Sequence, residues 1–213
     1  MTTEEINLIT RMEQLANDFE AHIDQVRNMV KGIAIDNNLG QHMLYTLSRD
    51  HRILLFVIML NESSNLKTDW ETAYHLLKEA YIMTDNIYAQ LQKSPYPFDL
   101  SDYLLEMKQH VNTNELMHPE ELDYLNNLIF PLTVYRGMCN KEFEDERFGV
   151  SWADSEKTAS RYVFYSKNNN TEPDGKIVSF KIDRSDIFAA WGVVGMDKEL
   201  IVPGLKKPKG YDR

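Results

Sequence analysis

The chain has 213 residues, of which 43% are hydrophobic and 26% charged, a composition typical of a soluble globular protein with one sizeable core or two small ones. Its single cysteine, Cys139, excludes an internal disulfide and a Cys-rich metal site, and it favours a reducing compartment. The net charge of −10 argues against tight non-specific binding to phosphate backbones, because such binding needs many Lys and Arg side chains.

The first 115 residues are predicted to form an acidic helical region. Apolar residues recur at three- and four-residue steps from Met12 to Ile33, which predicts one long amphipathic helix. A turn is predicted at 36–40. A second helix is predicted at 41–61, and its second half is apolar on nearly all sides, as in the central helix of a bundle.

A third helix is predicted to begin at Thr68 and Glu71, which have the spacing of a capping box. The sequence S-P-Y-P at 94–97 is predicted to end it. Two shorter helices are predicted near 99–111 and 119–128, and the second has a proline suited to its first turn. The apolar face of the third helix is predicted to include Ala73, Leu77, Ala80, Ile87 and Leu91.

The pattern changes after Pro131, where short β-branched and aromatic runs predict strands. One helix, at about 154–165, is predicted between them, with Asp154 as its N-cap. A polar loop is predicted at 166–175. The predicted strands cover 132–135, 176–182 and 199–202. Helices followed by short strands indicate an α+β protein.

Polar residues that could take part in binding or catalysis lie at or near strand ends in this part of the chain. Arg136 can pair bidentately with a diphosphate, and the hydroxyl of Ser151 can orient a ribose or brace a carboxylate. Glu199 can stabilise positive charge at a sugar carbon, and Asp197 can take a proton from an incoming nucleophile. Each also fits a plain structural role: a surface arginine, a capping serine or an acidic turn.

The neighbours of these residues extend the pattern. The motif residues are Tyr135-Arg136-Gly137, then Gly149, Ser151, Trp152, Ala159 and Tyr162, then Asp186-Ile187-Phe188-Ala189, and finally Asp197-Lys198-Glu199. With these motifs, the segment 132–202 resembles the mono-ADP-ribosyltransferases of the arginine–serine–glutamate type, in the branch shared by bacterial toxins and phage enzymes. The resemblance covers about a third of the chain.

The resemblance implies roles for the residues that match. Arg136 would grip the phosphates of NAD, and Gly137 would face the nicotinamide amide through its backbone. Ser151 would position the nicotinamide ribose and Glu199. Glu199 would hydrogen-bond the 2′-hydroxyl of that ribose and stabilise the cation as nicotinamide departs. Asp197 would serve the acceptor. The remaining NAD-binding candidates are Tyr135, Trp152 and Tyr162. Stacking on the nicotinamide could also come from Phe164 or Tyr165, and Trp191 could meet the target. For Tyr162, Phe164, Tyr165 and Trp191, burial in the small core is the favoured interpretation.

The predicted fold is α+β. The apolar pattern predicts a helical region, 1–115, and the resemblance implies a small ADP-ribosyltransferase-like core, 116–213, of two packed and mostly antiparallel sheets. The implied reaction transfers ADP-ribose from NAD, the co-substrate, to a macromolecular acceptor and releases nicotinamide. The chain departs from the family's pattern at two positions. Ala153 stands where the family often has threonine, so one supporting hydroxyl is missing. Asp197 stands where the family has glutamate or glutamine, which leaves the acceptor open between protein and nucleic acid (RNA or DNA).

Two other functions stay open on the sequence. One is an NAD glycohydrolase toxin, in which water takes the ribose. The other is a non-catalytic binding module whose acidic helices engage a basic partner: residues 1–130 carry 9 Lys and Arg against 20 Asp and Glu. The helical region could equally recognise the target, dock a neutralising antitoxin or immunity partner, or simply cover the core.

The sequence also predicts where the protein works and what it lacks. The start of the chain shows no secretory pattern, and the apolar run at 53–60 is too short to cross a bilayer, so we expect no membrane partner. The six histidines show no metal-ligand spacing, and we expect no metal. The expected location is the cytoplasm of a bacterium or of a host cell infected by a phage.

Overall fold

The computed structural model describes residues 1–82, 84, 87–145, 148–168, 175–192 and 199–205. The chain divides into two compact units, Met1–Phe98 and Asp99–Arg213. Helices make up the described part of the first unit. The second unit combines helices with small antiparallel sheets, so the protein is α+β, as predicted.

The first unit is built around an apolar helix. All eight residues of 53–60 are buried, as the run of apolar residues in this segment predicts. Within the described residues, no helix is both long and apolar enough to cross a membrane. The helices of this unit are α1 (Thr3–Leu15), α2 (Ile23–Val30), α3 (Asn37–Thr46), α4 (Arg52–Glu62), α5 (Trp70–Ile82) and α6 (Ile87–Leu91).

The prediction of one continuous helix from Met12 to Ile33 is wrong. α1 ends at Leu15, a 3-10 turn covers Ala16–His22, and α2 follows. Asp18 in that turn has φ −136° and ψ 49°, outside the helical region. Asp side chains compete for backbone hydrogen bonds and so favour such breaks. The predicted apolar face is nevertheless buried at Met12, Phe19, Val26 and Val30.

The prediction of one helix at 41–61 is also wrong, because a 3-10 turn at Arg49–His51 separates α3 from α4. The segment 36–40 is the start of α3 and not a free turn. Asp36 is its N-cap, and its Oδ1 accepts a hydrogen bond from the backbone N–H of Leu39 at 2.8 Å.

The third predicted helix differs at both ends. Asp69 provides the side-chain acceptor for its first turn, at 3.2 Å from the N–H of Thr72. Thr68 instead donates its hydroxyl to the carbonyl of Asn65. α5 then ends at Ile82, so Ile87 and Leu91 belong to the separate short helix α6.

A polar cluster anchors the segment after α6. The Nε–H of Arg27 on α2 lies 2.7 Å from the hydroxyl oxygen of Tyr96 and 3.1 Å from Oε1 of Glu62. The Tyr96 hydroxyl itself donates to the Glu62 carboxylate. The S-P-Y-P segment is therefore tied to both α2 and α4.

The second unit places its strands among short helices. The helices are α7 (Leu100–Met107), α8 (Thr113–Leu116), α9 (Pro119–Asn126), α10 (Asn140–Glu144) and α11 (Glu156–Asn168). The strands are β1 (Leu132–Met138), β2 (Ser151–Trp152), β3 (Lys176–Ile182), β4 (Ala189–Trp191) and β5 (Glu199–Ile201). Pro119 occupies the first turn of α9, as predicted.

Two antiparallel sheets form the centre of this unit. One pairs β1 with β3, and the other has the order β2-β5-β4. Tyr135 and Ala153 join the two sheets by exchanging backbone hydrogen bonds of 2.8 Å in both directions. α11 packs on β1 and β3, and α9 packs on β4. This arrangement brings residues of β1, β2 and β5 close to one another.

The boundary between the units lies earlier than the predicted one at 115/116. Lys108, after α7, donates through Nζ to the carbonyls of Ser185 and Ile187, which precede β4. Arg184 donates to the side chain of Asn114 at 3.1 Å. These contacts place α7 and α8 in the unit that holds the sheets.

The helix after β2, α11, begins at Glu156, two residues after the predicted start at 154, and it ends later than predicted. Ser155, and not Asp154, accepts from a backbone N–H in the first turn, that of Thr158 at 3.3 Å. Asp154 instead accepts from the hydroxyl of Tyr124 on α9 at 2.8 Å. Burial, and then this hydrogen bond, raise the pKa of Tyr124 well above its usual range. α11 continues to Asn168, so residues 166–168 are helical where the polar loop was predicted.

We expect the polar cluster of Arg27, Glu62 and Tyr96 to make the stability of the first unit sensitive to acid. The hydrogen bond from Tyr96, and then that from Arg27, hold the pKa of Glu62 below its ordinary value of 4.5 despite burial. A lowered pKa in the folded state stabilises the protein above the ordinary value, and this contribution is lost as the pH falls through the folded-state pKa. Urea unfolding of Glu62→Gln should therefore show a smaller loss of stability below pH 4.5 than the unmodified protein. Glu13→Gln, at an exposed position on α1, is the control, and an equal pH dependence in both variants would contradict the prediction.

Candidate functional site

Arg136 lies in β1, opposite Val178 of β3, with 17% of its side chain exposed. Its Nε–H donates to Oε1 of Glu142 at 2.8 Å, and Nη2 lies 2.7 Å from the same oxygen. Nη1 donates to the backbone carbonyl of Ser151 at 2.7 Å. The guanidinium therefore links the end of β1 to α10 and to β2.

Ser151 and Glu199 meet because β2 and β5 are antiparallel neighbours. Ser151 pairs with Ile201, so Glu199, two residues away on β5, lies on the same face as Ser151. The Ser151 hydroxyl donates to Oε2 of Glu199 at 2.9 Å. The Tyr162 hydroxyl, from α11, donates to Oε1 at 3.1 Å. With a donor at each oxygen, the plane of the carboxylate is defined.

The structure thus brings Arg136, Ser151 and Glu199 into one hydrogen-bonded group. Arg136 contacts the backbone of Ser151, and the side chain of Ser151 contacts Glu199. Each residue comes from a different strand, and the strands belong to two sheets. We call this group, together with Tyr162 and Glu142, the Arg–Ser–Glu cluster.

Glu142 is a member of the cluster that the sequence did not indicate. It is only 4% exposed, although it carries a carboxylate. It accepts from Arg136 and also from the backbone N–H of Gly149, at 2.7 Å. In the sequence it is one of several acidic residues in E-F-E-D-E, at 142–146, and nothing there distinguishes it from its neighbours.

Two glycines of the motif make room for other parts of the protein. A Cβ atom at Gly149 would lie 2.2 Å from Nη2 of Arg136. A Cβ atom at Gly137 would lie 2.1 Å from the carbonyl oxygen of Ala159 on α11. In the structure, the backbone that approaches Gly137 closely is that of α11.

Two of the predicted aromatic contacts are core residues instead. Trp152 is 1% exposed and packs edge-on against Phe180 at 5.4 Å between ring centroids. Trp191 is fully buried against Phe188 and lies in β4. Their indole rings complete the interior of the second unit, so in this structure Trp152 does not offer its ring to NAD and Trp191 does not offer its ring to a target.

Tyr162 and Tyr135 remain accessible to different extents. Tyr162 is 37% exposed and has its hydroxyl on Glu199. Tyr135 is half-buried in β1, between Ser179 of β3 and Ala153. Tyr162 therefore combines an exposed ring with a direct contact to the carboxylate.

Several predicted features lie outside the described part of the chain. They are Asp197 and the side chains of Phe164 and Tyr165. Among the described residues, no group of three or more His, Cys, Asp or Glu side chains is placed to hold a metal ion. The cluster is made of one guanidinium, two carboxylates and two hydroxyls.

Comparisons with protein-family models, with curated proteins and with solved structures find no significant match to this chain.

We expect Gly137→Ala to destabilise the protein. The added methyl group would collide with backbone, which cannot rotate away as a flexible side chain can, so α11 must shift on β1. Overpacking of this kind costs about 1–3 kcal/mol of the free energy of unfolding. Urea unfolding measures it, with Ser179→Ala, at an exposed position of β3, as the control. A Gly137→Ala protein as stable as the control would show that α11 does not pack as described.

Proposed function

We propose that this chain transfers ADP-ribose from NAD to a macromolecular acceptor and releases nicotinamide. The observation that supports this most is the carboxylate of Glu199, held by hydroxyls from Ser151 and Tyr162 and linked through Ser151 to Arg136. A fixed carboxylate beside an arginine suits a substrate that carries a sugar with a cationic leaving group and a diphosphate.

Glu199 is the proposed catalytic residue. Departure of nicotinamide leaves positive charge at the anomeric carbon of the ribose, and a fixed carboxylate stabilises that charge without reorganising. Hydrogen bonds from two hydroxyls to an ionised carboxylate are stronger than neutral ones, and they hold it in place. In this proposal, Ser151 and Tyr162 orient Glu199 toward the ribose.

Arg136 is the proposed phosphate-binding residue. A guanidinium is always charged and presents several N–H groups in one plane, which suits the oxygens of a diphosphate. Its position beside the backbone of Ser151 places it next to the residue that orients Glu199. One arginine would thereby relate the diphosphate of the substrate to the sugar that reacts.

The acceptor is proposed only as a class. Asp197, two residues before Glu199 in the sequence, is the proposed acceptor-side carboxylate, and this role rests on the sequence alone. Protein, RNA and DNA acceptors are all compatible with the cluster. The experiment must therefore distinguish them directly.

The test is a labelling assay with NAD labelled on its adenylate side and a whole bacterial lysate. Protein, RNA and DNA are separated afterwards, and free ADP-ribose is measured in parallel. Label in one fraction identifies the acceptor class. Free ADP-ribose without label in any fraction would make the chain an NAD glycohydrolase. Intact NAD throughout would favour the binding module over either enzyme.

Glu199→Gln should lower the rate of nicotinamide release by at least about 100-fold, the loss typical when a preorganised electrostatic group is removed from a reacting centre. The substitution keeps the size of the side chain, removes its charge and replaces one of its two acceptor oxygens with an NH2 group. Nicotinamide release from NAD is measured with purified protein. Glu156→Gln, at an exposed position in the first turn of α11, should keep full activity. Equal rates in the two variants would refute the role of Glu199.

Tyr162→Phe should lower kcat by about tenfold with little change in KM for NAD, because one hydrogen bond to a charged group is lost while the ring stays. Tyr162→Ala removes the ring as well and should also raise KM. Steady-state kinetics separates the two effects. Unchanged kcat in Tyr162→Phe would mean that the hydroxyl does not orient Glu199 during the reaction.

A further inference from the structure

Glu142 is a buried carboxylate at the point where three segments of the second unit meet. Its Oε1 lies 2.8 Å from Nε of Arg136, 2.7 Å from Nη2 of Arg136 and 2.7 Å from the backbone nitrogen of Gly149. Burying a carboxylate is costly unless it is paired and hydrogen-bonded, and here it is both. One oxygen atom thus links Arg136 of β1 to Gly149, two residues before β2.

The helix that carries Glu142 is itself held in place. Phe143, the next residue on α10, is buried and stacks on Phe148 with 6.3 Å between ring centroids. The backbone N–H of Glu142 lies 3.4 Å from Sγ of Cys139. The carboxylate therefore projects from a packed helix, so its reach toward Arg136 is defined.

Gly149 completes this arrangement from the other side. Its N–H donates to Glu142, and the absence of a Cβ atom leaves space for the Nη2 atom of Arg136. From Arg136 the contacts continue to the carbonyl of Ser151, and from the Ser151 hydroxyl to Glu199. A displacement of Glu142 would be transmitted along this series of hydrogen bonds.

We propose that Glu142 is a positioning residue for the diphosphate of NAD, acting through Arg136 by the reach of its side chain. The proposal rests on the proposed function, since it concerns how Arg136 is presented to that substrate. Glu142 does not contact the substrate itself. The length of the side chain at position 142 brings one oxygen to both Arg136 and Gly149, and it is this length that positions Arg136 for the diphosphate.

The experiment compares Glu142→Gln, Glu142→Asp and Glu142→Ala with the unmodified protein. Binding of ADP-ribose is measured by calorimetry, KM for NAD by nicotinamide release, and inhibition by free nicotinamide in the same assay. ADP-ribose carries the diphosphate and nicotinamide does not. Glu144→Gln, an exposed residue of the same helix, is the matched control, and thermal melting followed by circular dichroism checks that each variant is folded.

We expect Glu142→Gln to retain ADP-ribose affinity, because the amide oxygen still reaches both partners. Glu142→Asp is one methylene shorter and Glu142→Ala has no acceptor, so both should weaken ADP-ribose binding and raise KM for NAD by at least about tenfold, as for the loss of one charge-assisted hydrogen bond. Inhibition by nicotinamide should stay unchanged. If Glu142→Ala does not fold, Gly149→Ala displaces Arg136 from the opposite side and should give the same selective loss.

Other outcomes overturn the proposal. Affinity kept in Glu142→Asp but lost in Glu142→Gln would make charge, and not reach, the relevant property. If the variants weaken ADP-ribose binding and nicotinamide inhibition equally, or change neither, Glu142 has only a structural role. If the unmodified protein neither binds ADP-ribose nor releases nicotinamide, the proposed function itself fails and this inference fails with it. If the unmodified protein is active and the Glu142→Asp and Glu142→Ala variants keep its ADP-ribose affinity and its KM for NAD, the role of Glu142 is refuted while the proposed function stands.

Discussion

The geometry of the site depends on the position of one guanidinium, that of Arg136. Glu142 contacts it on one side, and the backbone carbonyl of Ser151 accepts from it on the other. Because the N–H groups of a guanidinium point in fixed directions within a plane, two such partners define that plane. The side chain of Ser151 and the carboxylate of Glu199 are then placed relative to it through a further hydrogen bond.

The surrounding structure holds these groups by close packing. α11 approaches β1 so closely that position 137 has no room for a side chain, and this approach brings Tyr162 to Glu199. Near β4, Lys108 donates to the carbonyls of Ser185 and Ile187, and α9 covers the strand. The short strands of the site are thus held by helices, because β2, β4 and β5 have few backbone hydrogen bonds of their own.

The helices of the first unit show where reasoning from periodicity succeeds and where it fails. The spacing of Met12, Phe19, Val26 and Val30 identified a buried face, because burial follows the helical repeat. It did not locate the break at Asp18 or the cap at Asp36. The cap at Asp36 depends on a single hydrogen bond to a polar side chain, which is weak beside the apolar pattern and leaves no period in the sequence.

The sequence by itself determined that helices come first and short strands later in this α+β protein, and it led to the choice of Arg136, Ser151 and Glu199 as candidates. These features depend on local preferences and on short motifs that can be read along the chain. Only the tertiary structure decided that Glu142 pairs with Arg136 and that the rings of Trp152 and Trp191 are buried. Burial and ion pairing depend on which distant segments come into contact, and the packing of two sheets and α11 sets those contacts.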